Sequence, residues 1–210
     1  MLYRIHVERC PGEQLAIRPP SEHRTLGENT IDGERGGRLR AGMHSSCTHI
    51  ERLHHDQMTD AIQYTLTVPL PRSDAFALFA QRLAQWWPRE YTWGQDVLED
   101  IGIESRLDGF CYERGPHGFR CDWGRVLAWE PPGRLMLAWQ ISPRREPEPN
   151  PARASTVDVR FDAEGDRRTR VTLEHRDFDH HGDGVDDYRA ALASEQGWPY
   201  ILSRYAAAAG

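Results

Sequence analysis

The stretch DWGRVLAWEPPGRLMLAW, residues 122–139, decides the fold. Cys121 to Trp129 reads as a strand whose apolar alternation breaks at Gly124, the signature of a β-bulge. Pro131, Pro132 and Gly133 cannot continue a strand and form a turn. Leu135, Leu137, Trp139 and Ile141 then alternate with other residues, which places all four on one face. This is an antiparallel hairpin with one apolar side, and such a sheet needs a cover.

Working outward, the same period of two recurs. Ile62, Tyr64, Leu66 and Val68 make a first strand stopped by Pro69 and Pro71. Ile101 and Ile103 share a face in the next, and Phe110 and Tyr112 in the one after Gly109. Beyond a charged, proline-rich loop at 143–151, Val157, Val159 and Phe161 line a strand that turns at Glu164-Gly165-Asp166. Val171, Leu173 and His175 then line the last. Helical spacing appears twice. Ser73 offers an N-cap to a short helix carrying Phe76, Phe79, Ala80 and Leu83, with Asp74 in its first turn and an end near Trp86-Trp87-Pro88. A longer C-terminal helix from about Asp187 sets Tyr188, Leu192, Trp198, Leu202 and Tyr205 near one stripe, kinked at Trp198 by Gly197 and Pro199. Strands grouped apart from helices mean an α+β fold, a curved antiparallel sheet covered by its last helix.

The chain changes character near residue 58. Of 20 aromatic residues only Tyr3 precedes it, while six of ten histidines do. Residues 1–57 show no sustained period and too little apolar surface to offset the entropy of ordering, so they are expected to be a disordered extension. Met58 opens MTDAIQYTLTVPL, which runs straight into the first strand and reads as a natural start. The domain is thus expected over 58–210, with 1–57 an incorrectly assigned start or a dispensable tail. His54-His55-Asp56 in that tail is read as a chance cluster.

The formal net charge is -6, and all 26 basic residues are arginine, scattered along the chain. This balance argues against a nucleic-acid partner. No apolar run of 18 residues and no signal peptide occur, so no membrane insertion and a cytoplasmic location are expected. Cys10, Cys47, Cys111 and Cys121 form no CxxC pair and read as reduced thiols, with Cys111 and Cys121 on separate strands. His180, His181, Asp183, Asp186 and Asp187 fit no standard ligand spacing, so no metal and no cofactor are expected. Phosphate-binding and nucleophile-elbow motifs are absent too.

Five segments in order carry a resemblance: VPLPRSDAFALFA at 68–80, WWP at 86–88, DWGRVLAWEPPGRLMLAW at 122–139, TRVTLEHRDF at 169–178 and GWPYILSRY at 197–205. Together they resemble the START-like (SRPBCC) superfamily and its helix-grip fold, and within it the heat-shock-protein-90 ATPase activator-like family. The resemblance covers about 58–210. It implies a ligand cavity between the curved sheet and the long helix, of the kind used for lipids, polyketides and other apolar molecules.

All seven tryptophans lie in the domain. Each brings a large apolar surface and one N–H that seeks a partner. Trp139 points inward by alternation, Trp198 faces the sheet, and Trp86, Trp87 and Trp93 sit at the expected mouth. With Trp123, Tyr112 and His175 they form the expected pocket for an apolar or amphipathic small molecule. His175 shares its face with Val171 and Leu173, which sends a titratable ring into the cavity, and Asp177 is its expected partner by the same alternation. The leading expectation is a non-catalytic binding protein, as a monomer or homodimer. One alternative is a cyclase or aromatase-like enzyme using His175 as acid or base. A second is a chaperone-activator-like interaction module.

Overall fold

The computed structural model describes residues 60–210. The expectations for residues 1–57 and the start at Met58 fall outside the described residues.

Strand β1 (Ile62–Val68) leads into helix α1 (Arg72–Gln81), and three short 3-10 turns follow between Leu83 and Val97. Six further strands come next: β2 (Asp100–Ile103), β3 (Phe110–Arg114), β4 (Arg120–Glu130), β5 (Arg134–Trp139), β6 (Ser155–Gly165) and β7 (Arg168–Arg176). Helices α2 (Val185–Ala193) and α3 (Trp198–Ala209) complete the chain. The seven strands form one antiparallel sheet in the order β1-β7-β6-β5-β4-β3-β2. The first strand thus pairs with the last, and the sheet curls into a half-barrel.

Bulges on β4 supply part of that curl. Cys111 pairs with Gly124 and Tyr112 with Asp122, which leaves Trp123 as the extra residue. Val126 pairs with Leu137 and Ala128 with Met136, which leaves Leu127 unopposed and exposed. The expected irregularity falls at Trp123-Gly124, and a close approach there explains the glycine. A Cβ on Gly124 would sit 2.7 Å from the Ala138 carbonyl oxygen and 3.3 Å from Cys111.

The inner face of the sheet carries Leu135 and Leu137, Val157, Val159 and Phe161, Val171 and Leu173, all buried. Helix α3 presents Trp198, Ile201, Leu202, Tyr205 and Ala209 as a single buried stripe. Tyr205 donates its hydroxyl to the Ala75 carbonyl at 2.9 Å, joining the last helix to the first.

Two helix expectations need correction. Helix α1 begins at Arg72 with Pro71 in the cap position, so Ser73 lies inside the first turn and caps nothing. The Pro71 carbonyl accepts from Asp74 and Ala75 instead, and the ring fixes a backbone angle suited to entering a helix. The C-terminal helix is broken into α2 and α3 rather than kinked. Ser194 is extended and Gly197 takes a non-helical conformation. A Cβ on Gly197 would collide with the backbone of Leu192, so only glycine fits this close approach. Pro199 then falls in the first turn of α3, where its missing N–H costs nothing.

Candidate functional site

Between the sheet and α3 the tryptophans converge. Trp139 ends β5, Trp123 is the bulged residue of β4, Trp198 opens α3, and Trp86 and Trp87 come from the turn after α1. Trp87 lies 5.6 Å from Trp86, 6.1 Å from Trp123, 6.4 Å from Trp139 and 6.5 Å from Trp198, measured between ring centroids. Trp139 contacts Trp123 at 5.5 Å and Trp198 at 5.4 Å. Trp86, Trp123, Trp139 and Trp198 are buried, and Trp87 is the half-buried member of the set. Open clefts lie elsewhere, one of about 320 Å3 beside α1 and one of about 420 Å3 on the outer sheet face near Arg125 and Leu127.

Three of these indoles differ in how their N–H is satisfied. Trp86 donates to the Leu78 carbonyl at 2.9 Å, and Trp139 donates to the Tyr188 hydroxyl at 2.8 Å. Tyr188 passes its own proton to the Ile141 carbonyl at 2.8 Å, which locks α2 to the end of β5. Burial pushes the Tyr188 phenol up to about 12, so it stays neutral. Trp123 Nε1 is buried and has no partner among the described residues.

His175 stands at the polar end of the cluster, fully buried. Its ring lies 4.2 Å from Phe178, 5.6 Å from Trp139 and 5.8 Å from Trp198. Trp198 Nε1 donates to His175 Nδ1 at 3.0 Å, and His175 Nε2 lies 2.7 Å from Ser155 Oγ. Ser155 Oγ in turn lies 2.8 Å from His181 Nε2. An indole can only donate, so Nδ1 of His175 must accept, and a neutral ring then carries its proton on Nε2. That proton goes to Ser155, whose hydroxyl is left to donate to His181 Nε2. The His181 proton therefore sits on Nδ1, which is buried without a partner among the described residues. Neutrality follows from the surroundings. Burial first, and the neighbouring His181 second, hold His175 well below the usual histidine range. Burial likewise lowers His181.

Asp177 and Tyr112 fall outside this assembly. Strand β7 ends at Arg176, and Asp177 adopts a left-handed conformation with φ 64°, so alternation no longer applies to it. Its carboxylate accepts from Arg176 Nη1 at 2.8 Å, while Ser155 and Trp198 occupy the two nitrogens of His175. The turn it makes carries Phe178 and His181 back beneath the sheet. On β3 the inner residues are Cys111 and Glu113, which puts Tyr112 on the outer face. There its hydroxyl donates to Asp100 at 3.0 Å and the guanidinium groups of Arg114 and Arg120 lie over its ring at 4.7 and 5.0 Å. Trp93 packs at the edge of the core and donates through Nε1 to the Arg145 carbonyl at 3.1 Å.

Four participants were not among the expected pocket residues: Ser155, His181, Glu113 and Tyr188, the last expected only on the buried helical stripe. Ser155 was legible by alternation, as a residue in phase with Val157, whereas Glu113 is out of phase with Phe110 and Tyr112, the face expected to be inner. His181 lies in a connector without period. Glu113 is wholly buried and accepts from the backbone N–H groups of Trp93 at 3.2 Å and Gly94 at 3.0 Å, pinning the Trp93 loop. Burial raises its carboxyl above the ordinary range. Among the described residues no group of three or more His, Cys, Asp or Glu is arranged to hold a metal ion.

The family model described as activator of Hsp90 ATPase homolog 1-like protein matches residues 69–210. The chain belongs to this family. The fold is the helix-grip arrangement of the START-like superfamily. Among solved structures it is similar to Txn09, an anthrahydroquino-gamma-pyrone synthase. The identity is 30% and the TM-score 0.53, over 70% of this chain and 96% of that one. It also matches CalC, a self-sacrificing resistance protein from Micromonospora echinospora, at 25% identity and TM-score 0.48, over 70% and 92% of the two chains. The Aha1 dimer from Colwellia psychrerythraea matches at 12% identity and TM-score 0.49, over 71% and 95%. No curated protein matches the chain. No helix among the described residues is long and apolar enough to cross a membrane.

Proposed function

We propose that this protein binds an apolar or amphipathic small molecule among the tryptophans between the sheet and α3. The observation that carries the reading is the meeting of five tryptophans from four separate elements, with Trp87 half-buried where solvent reaches the cluster. Aromatic rings drawn together this way offer large apolar contact area at a few rotatable bonds each. Binding is favoured over chemistry by the engagement of His175. Both its nitrogens are taken, and it is shut off from solvent.

Native mass spectrometry of the full chain from its own host tests this. A discrete, reproducible small-molecule adduct is the expected result, accompanied by tryptophan quenching when flat apolar compounds are added. A bare protein mass together with unchanged tryptophan emission would overturn it.

One observation favours a second reading, a synthase or cyclase acting at the same place: the likeness to Txn09. In that reading the cluster holds a reactive chain in a productive conformation and His175 moves a proton through Ser155. Turnover that disappears in His175→Gln while tryptophan quenching by the same compound persists would select it.

A further inference from the structure

We infer that the indole N–H of Trp123 is a recognition donor, and that the ligand is a flat, mostly apolar molecule carrying a hydrogen-bond acceptor on its rim. The inference rests on the binding reading above and specifies its chemistry.

Each other indole just described with a buried N–H has an acceptor: Trp86 has the Leu78 carbonyl, Trp139 the Tyr188 hydroxyl and Trp198 the His175 ring. Trp123 alone of these four leaves its N–H unmet, although the residue is only 3% exposed. A buried donor without an acceptor costs free energy that an ordinary apolar residue there would avoid. A core that needed only bulk at this bulge would be served by phenylalanine.

The ring itself contacts Trp87, nearly parallel at 25°, and Trp139, edge to face at 66°. Neither indole supplies an acceptor, and with Nε1 buried and unpaired among the described residues an acceptor for it has to enter the interior. The N–H lies in the plane of the indole, so the acceptor approaches Trp123 at its edge while the rest of the ligand lies against the neighbouring rings. Position 123 is also held firmly. It is the extra residue of the β4 bulge, and the close approach of Gly124 to the Ala138 carbonyl fixes the backbone beside it.

Fluorene and fluorenone make the test, since the two flat tricycles differ by one carbonyl. Their dissociation constants are measured by equilibrium dialysis against the full wild-type chain and Trp123→Phe. The wild-type chain should prefer fluorenone by about tenfold, the worth of one buried donor regaining its acceptor. In Trp123→Phe the ratio should collapse toward one. Loss of ring area affects both compounds alike, so the ratio reports the N–H. Equal affinity for the two in the wild type, or a preference that survives Trp123→Phe, would overturn this inference and leave the binding reading standing. If neither compound binds the wild type, this inference falls, and the binding reading is decided by the native mass spectrum. Should Trp123→Phe not fold, spectra of the wild-type chain with isotope-labelled tryptophan decide. One indole N–H resonance moving downfield with fluorenone and not with fluorene supports the assignment. Identical responses to the two sink it.

Discussion

The two faces of strands β5, β6 and β7 are built from alternating residues of the same segments, yet they satisfy their polar groups by opposite means. On the outer face the solution is charge. Asp158, only 2% exposed, takes a bidentate contact from Arg134 at 2.9 and 2.8 Å and a third from Arg160 at 3.2 Å. Burial raises its pKa, but the two guanidinium groups outweigh that and hold the carboxyl below its ordinary range. On the inner face the solution is a neutral chain of hydrogen bonds, Trp198 to His175 to Ser155 to His181. Water near the outer face screens and solvates a formal charge. Inside, a charge would have no such support, so the polar groups there stay uncharged.

The largest break in this comparison is Trp198→Ala. It removes a fully buried indole and leaves His175 Nδ1 without its donor, so about 5 kcal/mol of stability should be lost. Urea unfolding of the purified variant checks this, and a loss below half that value would mean the inner face tolerates the cavity.

Acid should weaken the inner face next. Burial depresses both His175 and His181, so an unfolded chain takes up protons below about 6.5 that the native state refuses. Stability is fully present above that pH and is lost as pH falls, by up to about 1.4 kcal/mol per unit for each histidine. Glu113, raised by burial, acts in the opposite sense above about 4.3, where the unfolded chain gives up a proton that the native carboxyl keeps. Two histidines against one glutamate predict a urea midpoint that falls between pH 7 and 5.5. A flat or rising midpoint would contradict the neutral chain.

Ser155→Ala removes the hydroxyl shared by the two histidines and should cost about 2 kcal/mol. It should also alter tryptophan quenching by fluorenone, because His175 then loses one of its two fixed partners. Asp158→Asn strikes the outer face and should cost about 1.5 kcal/mol, since Arg134 retains access to water. Quenching should be unaffected, and a changed response would show that the two faces communicate. The smallest effect is expected from Tyr112→Phe, about 0.5 kcal/mol from a partly exposed hydrogen bond, with no change in ligand response. A marked loss of quenching there would bring Tyr112 back into the site.

Much of this arrangement was legible beforehand. Period two separates Leu135, Leu137 and Trp139 from Arg134 and Met136, and it places His175 with Leu173. It also marks Ser155 as inward, although a serine at a strand start is more readily taken for a surface residue. Asp177 misled because the alternation was carried one residue past the end of β7. Tyr112 misled for another reason. Phe110 and Tyr112 make the more aromatic face of β3, which alternation reads as inner. The structure instead buries Cys111 and Glu113 and leaves the two rings partly exposed against the guanidinium groups of Arg114, Arg120 and Arg125.

The amino-acid sequence alone determined the α+β class, the apolar phase of most strands and the gathering of tryptophans in one domain. These depend on local spacing, which side-chain geometry converts directly into faces. Only the tertiary structure decided that β1 closes against β7, that Gly197 breaks the last helix, and that His181 returns to share Ser155 with His175. Each depends on which distant backbone comes close, and that is settled by packing of the whole chain rather than by neighbours in sequence.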